Sequence, residues 1–279
     1  MTGKFNSGAI CLAALATTLA GLVEAAQSTN SAQDVARELA NPNTSLGFLA
    51  FPIDYIQYKG DLPDAGNQDA TKISFQPSFP YPLAKDVNFF LRPLIPVIID
   101  QPVYDGNHWD GKGTDLGDIG FDAAVGRGFA NGVQVIGGVA GTLNTATDDD
   151  LGLGQTLLGP EFFLGTKTDW GFYGLLVSQQ WEVTGKENQS ITGGQYFFTY
   201  NLENAWQIQM QPTWSYNHEA PSDDAWTLPL GIGISKTIIS GKTPWKFSLQ
   251  YWYFVESPDT FGPDFQIRFQ IAPVVPLPW

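Results

Sequence analysis

Seven side chains spread along the chain share one property. Arg92, Asp122, Glu161, Glu182, Lys246, Trp252 and Arg268 each lie on the polar side of a segment of alternating apolar and polar residues. Three cations, three acids and an indole gathered on inward faces can form rings of charge that sort solutes by sign and hydrogen bonding. Trp252 would narrow such a passage or stack on an aromatic solute. The same residues can equally pair with one another and fill a narrow interior, so a solute path and a sealed barrel both stand at this stage.

Two further groups could do chemistry. The run Thr147-Asp148-Asp149-Asp150-Leu151-Gly152, with Asp105 and Asp110, offers carboxylates of the kind that hold Ca²⁺. Its spacing is not that of an EF-hand loop, and it reads as a solvated acidic loop, at most bridged to lipopolysaccharide by divalent ions. The histidines are His108 and His218, both in connecting segments. A base must reach its nucleophile and be oriented by a third group. No strand sets a His beside an outward Ser, so an outer-membrane lipase is the least favoured reading, and neither a catalytic residue nor a cofactor is expected.

The elements that hold these residues have a period of two. In the last segment Phe261, Pro263, Phe265, Ile267, Phe269 and Ile271 form one face, against Gly262, Asp264, Gln266, Arg268 and Gln270. Trp245 to Glu256, Trp206 to Asn217 and Val87 to Asp100 alternate in the same way. Such strands separate two unlike media. An Arg on the lipid side at mid-membrane would cost roughly 2–4 kcal/mol, so parity turns Arg92 and Arg268 inward. Twelve strands can be drawn from Gly47 onward, the last spanning Asp264 to about Val274. Connections alternate between six long and five short, and the Asp clusters fall mostly in the long set. Long extracellular loops and short periplasmic turns are the habit of outer-membrane barrels.

No apolar run beyond the N-terminus is long enough for a membrane-spanning helix, and a spanning chain without one must close into a barrel. The net charge of −14 argues against a nucleic-acid partner. Residues 1–25 read as a signal peptide, with Lys4, an apolar stretch from Ala9 to Val23 and the site Val23-Glu24-Ala25. The competing reading is an uncleaved anchor. The single Cys11 lies in this leader, leaving no thiol in the mature chain. Residues 26–46 form a periplasmic segment in which Ser31-Ala32-Gln33-Asp34 predicts a helix start and Asn41-Pro42 a stop. That helix could cap the surface or fold into the periplasmic mouth and gate it, and the cap is the favoured reading. Residues 47–279 form the barrel. Prolines at positions 77, 93, 160, 212, 229 and 273 fall inside strands, where bulges are expected. Trp170, Trp181, Tyr196, Trp206, Trp226, Trp245 and Tyr253 predict aromatic girdles.

Several stretches carry a resemblance: Phe75 to Pro80, Arg92-Pro93-Leu94-Ile95-Pro96, Leu116 to Gly120, Leu158-Gly159-Pro160-Glu161, Leu228 to Gly233, Lys242 to Lys246, and Phe261 to Phe269. Together they resemble a bacterial family of outer-membrane β-barrel transporters, sometimes mislabelled neuromedin U and related to barrels of phenol-degradation (MetA) pathways. The resemblance covers nearly the whole mature chain. It implies an all-β, closed antiparallel barrel in the outer membrane that lets small solutes, aromatic ones among them, pass or bind. It leaves the solute open, and a sealed structural or adhesive surface barrel stays as the alternative. The partners expected are outer-membrane lipids and lipopolysaccharide, a small-molecule solute, and the barrel-assembly machinery through Trp279.

Overall fold

The computed structural model describes residues 31–185 and 188–279, so the signal-peptide reading lies outside the described residues. A short helix α1 (Ala32–Glu38) precedes the strands. These are β1 (Gly47–Lys59), β2 (Asp69–Ser78), β3 (Tyr81–Ala84), β4 (Val87–Tyr104), β5 (Trp109–Lys112), β6 (Asp115–Leu116), β7 (Ile119–Gly128) and β8 (Val133–Leu143). There follow β9 (Thr156–Lys167), β10 (Gly171–Thr184), β11 (Ser190–Asn201), β12 (Trp206–Met210), β13 (Thr213–Asn217), β14 (Trp226–Ser240), β15 (Thr243–Glu256) and β16 (Gly262–Val275). β2 and β3 share one stave and β12 and β13 another, while β5 and β6 extend the extracellular end. The result is a twelve-stranded closed antiparallel barrel, with β1 paired to β16 at the seam.

The period of two decides which medium each residue meets. On β15, Lys246, Ser248, Gln250, Trp252 and Phe254 are buried, and Leu249, Tyr251, Tyr253 and Val255 are exposed. Outward Leu230 and Ile232 are 61 % and 60 % exposed, whereas inward Gln207, Gln250 and Asp54 are 2 % or less. Such an outward apolar surface on a soluble fold would aggregate. On a closed barrel with short turns at one end and long loops at the other, it is the lipid-facing band of an outer-membrane protein. Trp170, Trp181, Trp206, Trp226 and Tyr253 are exposed on that surface, as girdle residues should be.

The in-strand prolines have a different explanation from the one expected. Ile73 pairs with Val97 and Tyr81 with Phe89, in one register that sets Pro77 opposite Pro93. Between those pairs the ladder is interrupted without a shift. A second gap separates Met210–Trp214 from Leu228–Ile232, between the pairs Gln209–Gly233 and Ser215–Thr227, and holds Pro212 and Pro229. A third leaves Gly159 and Pro160 unpaired on the β10 side. Pro273 lies in a fourth, between the pairs Phe48–Val274 and Phe51–Ile271. Proline has no N–H to give, and the ladder here is open where that donor would have been used. Of the six positions only Pro229 adjoins a register shift.

Side chains fill the second gap. The Tyr196 hydroxyl donates to the Pro229 carbonyl at 2.9 Å and accepts from Gly231 N at 3.1 Å. Gln211 N donates to Gln250 Oε1 at 3.0 Å. Tyr196, expected in a girdle, therefore substitutes for the missing ladder. At the C-terminus Trp279 leaves the strand and donates from Nε1 to the Pro80 carbonyl at 3.1 Å.

Candidate functional site in the barrel lumen

The inward faces carry two ionic clusters, and both come from strand register. Arg92 on β4 lies directly opposite Asp122 on β7. Its Nε reaches both carboxylate oxygens, at 2.9 and 3.0 Å, and its second terminal nitrogen lies 2.8 Å from Oδ1. The guanidinium also sits 5.2 Å from the Phe90 ring centroid. The second cluster closes the barrel. Asp54 on β1 faces Arg268 on β16 with a fork of two bonds, 2.6 Å from Nε and 2.8 Å from NH2. Gln266 Nε2 donates to the same carboxylate at 2.8 Å, and Lys72 is its partner on β2. Arg268 stacks 4.5 Å from the Trp252 ring centroid, and Trp252 Nε1 donates to Gln250 Oε1 at 3.3 Å.

Four of the seven candidate residues thus fall into one or the other cluster: Arg92 with Asp122, and Arg268 with Trp252. The other three stand apart from these direct contacts. Glu161 is buried on β9, and its Oε1 has no hydrogen-bond partner among the described residues. Lys246 is buried near the periplasmic end of β15. Glu182 lies near the extracellular end of β10. No single ring of seven forms. Asp54 and Lys72 belong to the site and were not among the candidates, while Gln250 and Gln266 lie on the polar faces that parity turns inward. A signal for Asp54 was present, since it is the one acid in an apolar strand and must face inward for the reason that Arg92 does.

The N-terminal segment enters the lumen. Ser31 caps α1 by accepting from Asp34 N at 3.2 Å, as the capping box predicts. The helix then lies inside the short-turn mouth, against β12, β14 and β15. Gln33 Oε1 accepts from Ala205 N at 2.6 Å and Gln207 Nε2 donates to the Ala36 carbonyl at 3.0 Å. Farther in, Asn43 Nδ2 donates to Gln134 Oε1 at 3.1 Å and Asn88 Nδ2 to Asn43 Oδ1 at 3.3 Å. Arg92 reaches the Pro42 carbonyl at 3.5 Å. Ala40 joins a small apolar cluster with Ala124, Ile136, Phe163 and Phe172. The favoured surface-cap reading is therefore corrected. The inward polar groups of β12 and β8 offer partners that a cap on the outer rim would lack, and the segment takes them.

The acidic loop is organised by its own partners. Lys112 binds Asp148 and Asp150 at 3.5 and 3.1 Å, while Asp118 accepts from the backbone N–H of Thr145, Ala146 and Leu153. Asp105 and Asp110 flank His108, at 3.0 Å from Nδ1 and 3.3 Å from Nε2. His218 Nε2 lies 2.7 Å from the Thr192 hydroxyl. That hydroxyl also contacts the amide oxygen of Gln179, which only accepts.

No family model and no curated protein matches the chain. Among solved structures, the COG4313 outer membrane channel from Pseudomonas putida F1 is similar, with a TM-score of 0.64 and 13 % identity over 83 % of this chain and 96 % of that one. The CymD monoaromatic hydrocarbon channel has a TM-score of 0.41 and 12 % identity, over 85 % of this chain and 91 % of that one. The outer membrane phospholipase A of Escherichia coli has a TM-score of 0.41 and 14 % identity, over 88 % and 98 %. The first likeness establishes the fold as that of an outer-membrane barrel; the other two, below one half, carry no weight.

Proposed function

We propose that the protein is an outer-membrane channel for small solutes, held closed by its N-terminal segment. The observation that carries this reading is the nature of the closure. Residues 31–46 meet the lumen through hydrogen bonds at Gln33, Ala36, Pro42 and Asn43, a half-exposed ion pair of Glu38 with Lys167 at 3.5 Å and one small apolar cluster. Net contributions of such bonds are about 1 kcal/mol each, within what conformational fluctuation or a bound solute can overcome. Arg92, Asp122, Glu161, Glu182, Lys246, Trp252 and Arg268 are the lumen residues that would set selectivity. The resemblance to transporter barrels related to phenol-degradation pathways agrees with passage of a small, aromatic-compatible solute. The similar Pseudomonas putida barrel is itself described as a channel. On this reading the protein is not an enzyme, the acidic loops meet lipopolysaccharide through divalent ions, and Trp279 addresses the assembly machinery.

A sealed structural barrel has one observation in its favour. Trp252, Phe90, Phe163 and Phe172 are 1 % exposed or less, so parts of the interior are filled. Ion conductance of the purified protein in planar bilayers separates the two. Current through the barrel that rises when the N-terminal segment is deleted supports the channel, and silence in both forms supports the sealed barrel.

A further inference from the structure

We propose that Lys246 and Thr237 form a binding subsite for the carboxylate of a small solute at the periplasmic end of the lumen. The proposal rests on the channel reading above and names the chemistry of what passes. Lys246 and Thr237 are cross-strand partners on β15 and β14. Lys246 is 7 % exposed and Thr237 1 %. Among the described residues no acid lies within ion-pair distance of the Lys246 ammonium, and the Thr237 hydroxyl has no hydrogen-bond partner. A buried charge is ordinarily paired and a buried hydroxyl ordinarily bonded. A buried hydroxyl without a partner, beside a buried cation without a counter-charge, is a complement for an anion.

The other inward cations sharpen the contrast. Arg92 is neutralised by Asp122, and Arg268 by Asp54; Lys72 stands opposite Asp54 in the ladder without reaching ion-pair distance, but is only half-buried. The two arginine charges are bound within the wall, whereas the more deeply buried Lys246 charge is left for a ligand. Cross-strand partners hold their Cβ atoms about 5 Å apart. An ammonium and a hydroxyl at that spacing can each give a proton to one oxygen of a planar carboxylate. Helix α1 packs over β14 and β15, the two strands that carry the pair. The acidic extracellular rim does not cancel the site. From Lys246 to Glu256 the strand runs roughly 33 Å, against a screening length of about 8 Å at physiological salt.

The test uses the purified full chain in detergent, with benzoate and its neutral isostere benzyl alcohol as calorimetric probes. Benzoate is expected to bind the wild type, at least tenfold more weakly to Lys246→Gln, about threefold more weakly to Thr237→Val, and within threefold of wild type to Lys246→Arg. Heat-modifiable gel migration verifies that each variant is folded, and the Thr237 and Arg variants carry the test if Lys246→Gln does not fold. Unchanged benzoate binding in Lys246→Gln, equal binding of benzyl alcohol and benzoate, or no benzoate binding to the wild type overturns the proposal. A barrel that conducts without binding benzoate sinks this inference and leaves the channel reading standing. One that binds benzoate as expected yet never conducts confirms the subsite and sinks the channel reading.

Discussion

Asp54 and Arg268 lie opposite each other across the seam where the first strand meets the last, joined by bonds of 2.6 and 2.8 Å. The pair links the ends of the barrel through side chains as well as through the ladder. The Asp54 side chain is 1 % exposed and that of Arg268 18 %, so each depends on the other for its counter-charge. Removing one partner of a buried pair costs about 3–5 kcal/mol, while removing both is often close to neutral. Asp54→Asn and Arg268→Met should each lower the unfolding free energy by that order, and the double variant should recover most of the loss. Urea unfolding followed by gel mobility measures all three. Single variants within 0.5 kcal/mol of wild type would sink the idea.

Tyr196 is expected to matter through its hydroxyl. It satisfies a carbonyl and an N–H of β14 where the ladder is open. In a membrane wall those groups have no water to turn to. Tyr196→Phe should cost about 2 kcal/mol. Tyr173→Phe, on an exposed outward residue, should cost almost nothing. Equal unfolding midpoints for the two variants would show that the gap does not need its phenol.

These two cases mark how far the chain could be read in advance. Twelve strands, their inward and outward faces and the inward turn of Arg92 and Arg268 follow from parity, because a half-membrane, half-lumen environment enforces it residue by residue. Parity says nothing of which strand residue stands opposite which. The pairs Arg92–Asp122 and Asp54–Arg268 are products of register, so Asp54 passed unnoticed and Arg268 had no partner. The prolines suggested bulges because each was judged within its own strand. Only the neighbouring strand reveals that Pro77 and Pro93 share one in-register gap. Helix α1 was legible from its capping box, but its docking depends on distant residues such as Ala205 and Gln207.

The extracellular loops should loosen in acid. The Asp105 carboxylate is held below the usual range by the backbone N–H groups of His108 and Asn107, and that of Asp148 by the N–H of Asp150. Asp224 is lowered by the N–H and then the hydroxyl of Thr260. A carboxyl whose folded value is depressed stabilises the fold fully above its unfolded value near 4. That contribution is lost as pH falls through the folded value. A spin label at Ser222, in the turn beside Asp224, should therefore keep one mobility from pH 8 to 5 and gain mobility below about pH 4. Asp224→Asn should remove most of that step. A step of the same size in Asp224→Asn as in the wild type would overturn the assignment.

The central claim is that the N-terminal segment closes a conducting lumen. It is tested most directly by planar-bilayer recording of the full chain beside a variant lacking residues 31–44. The account predicts small or intermittent currents from the full chain and a conductance several times larger, and steady, from the deletion. Two folded barrels that are both silent, or that conduct identically, would contradict it.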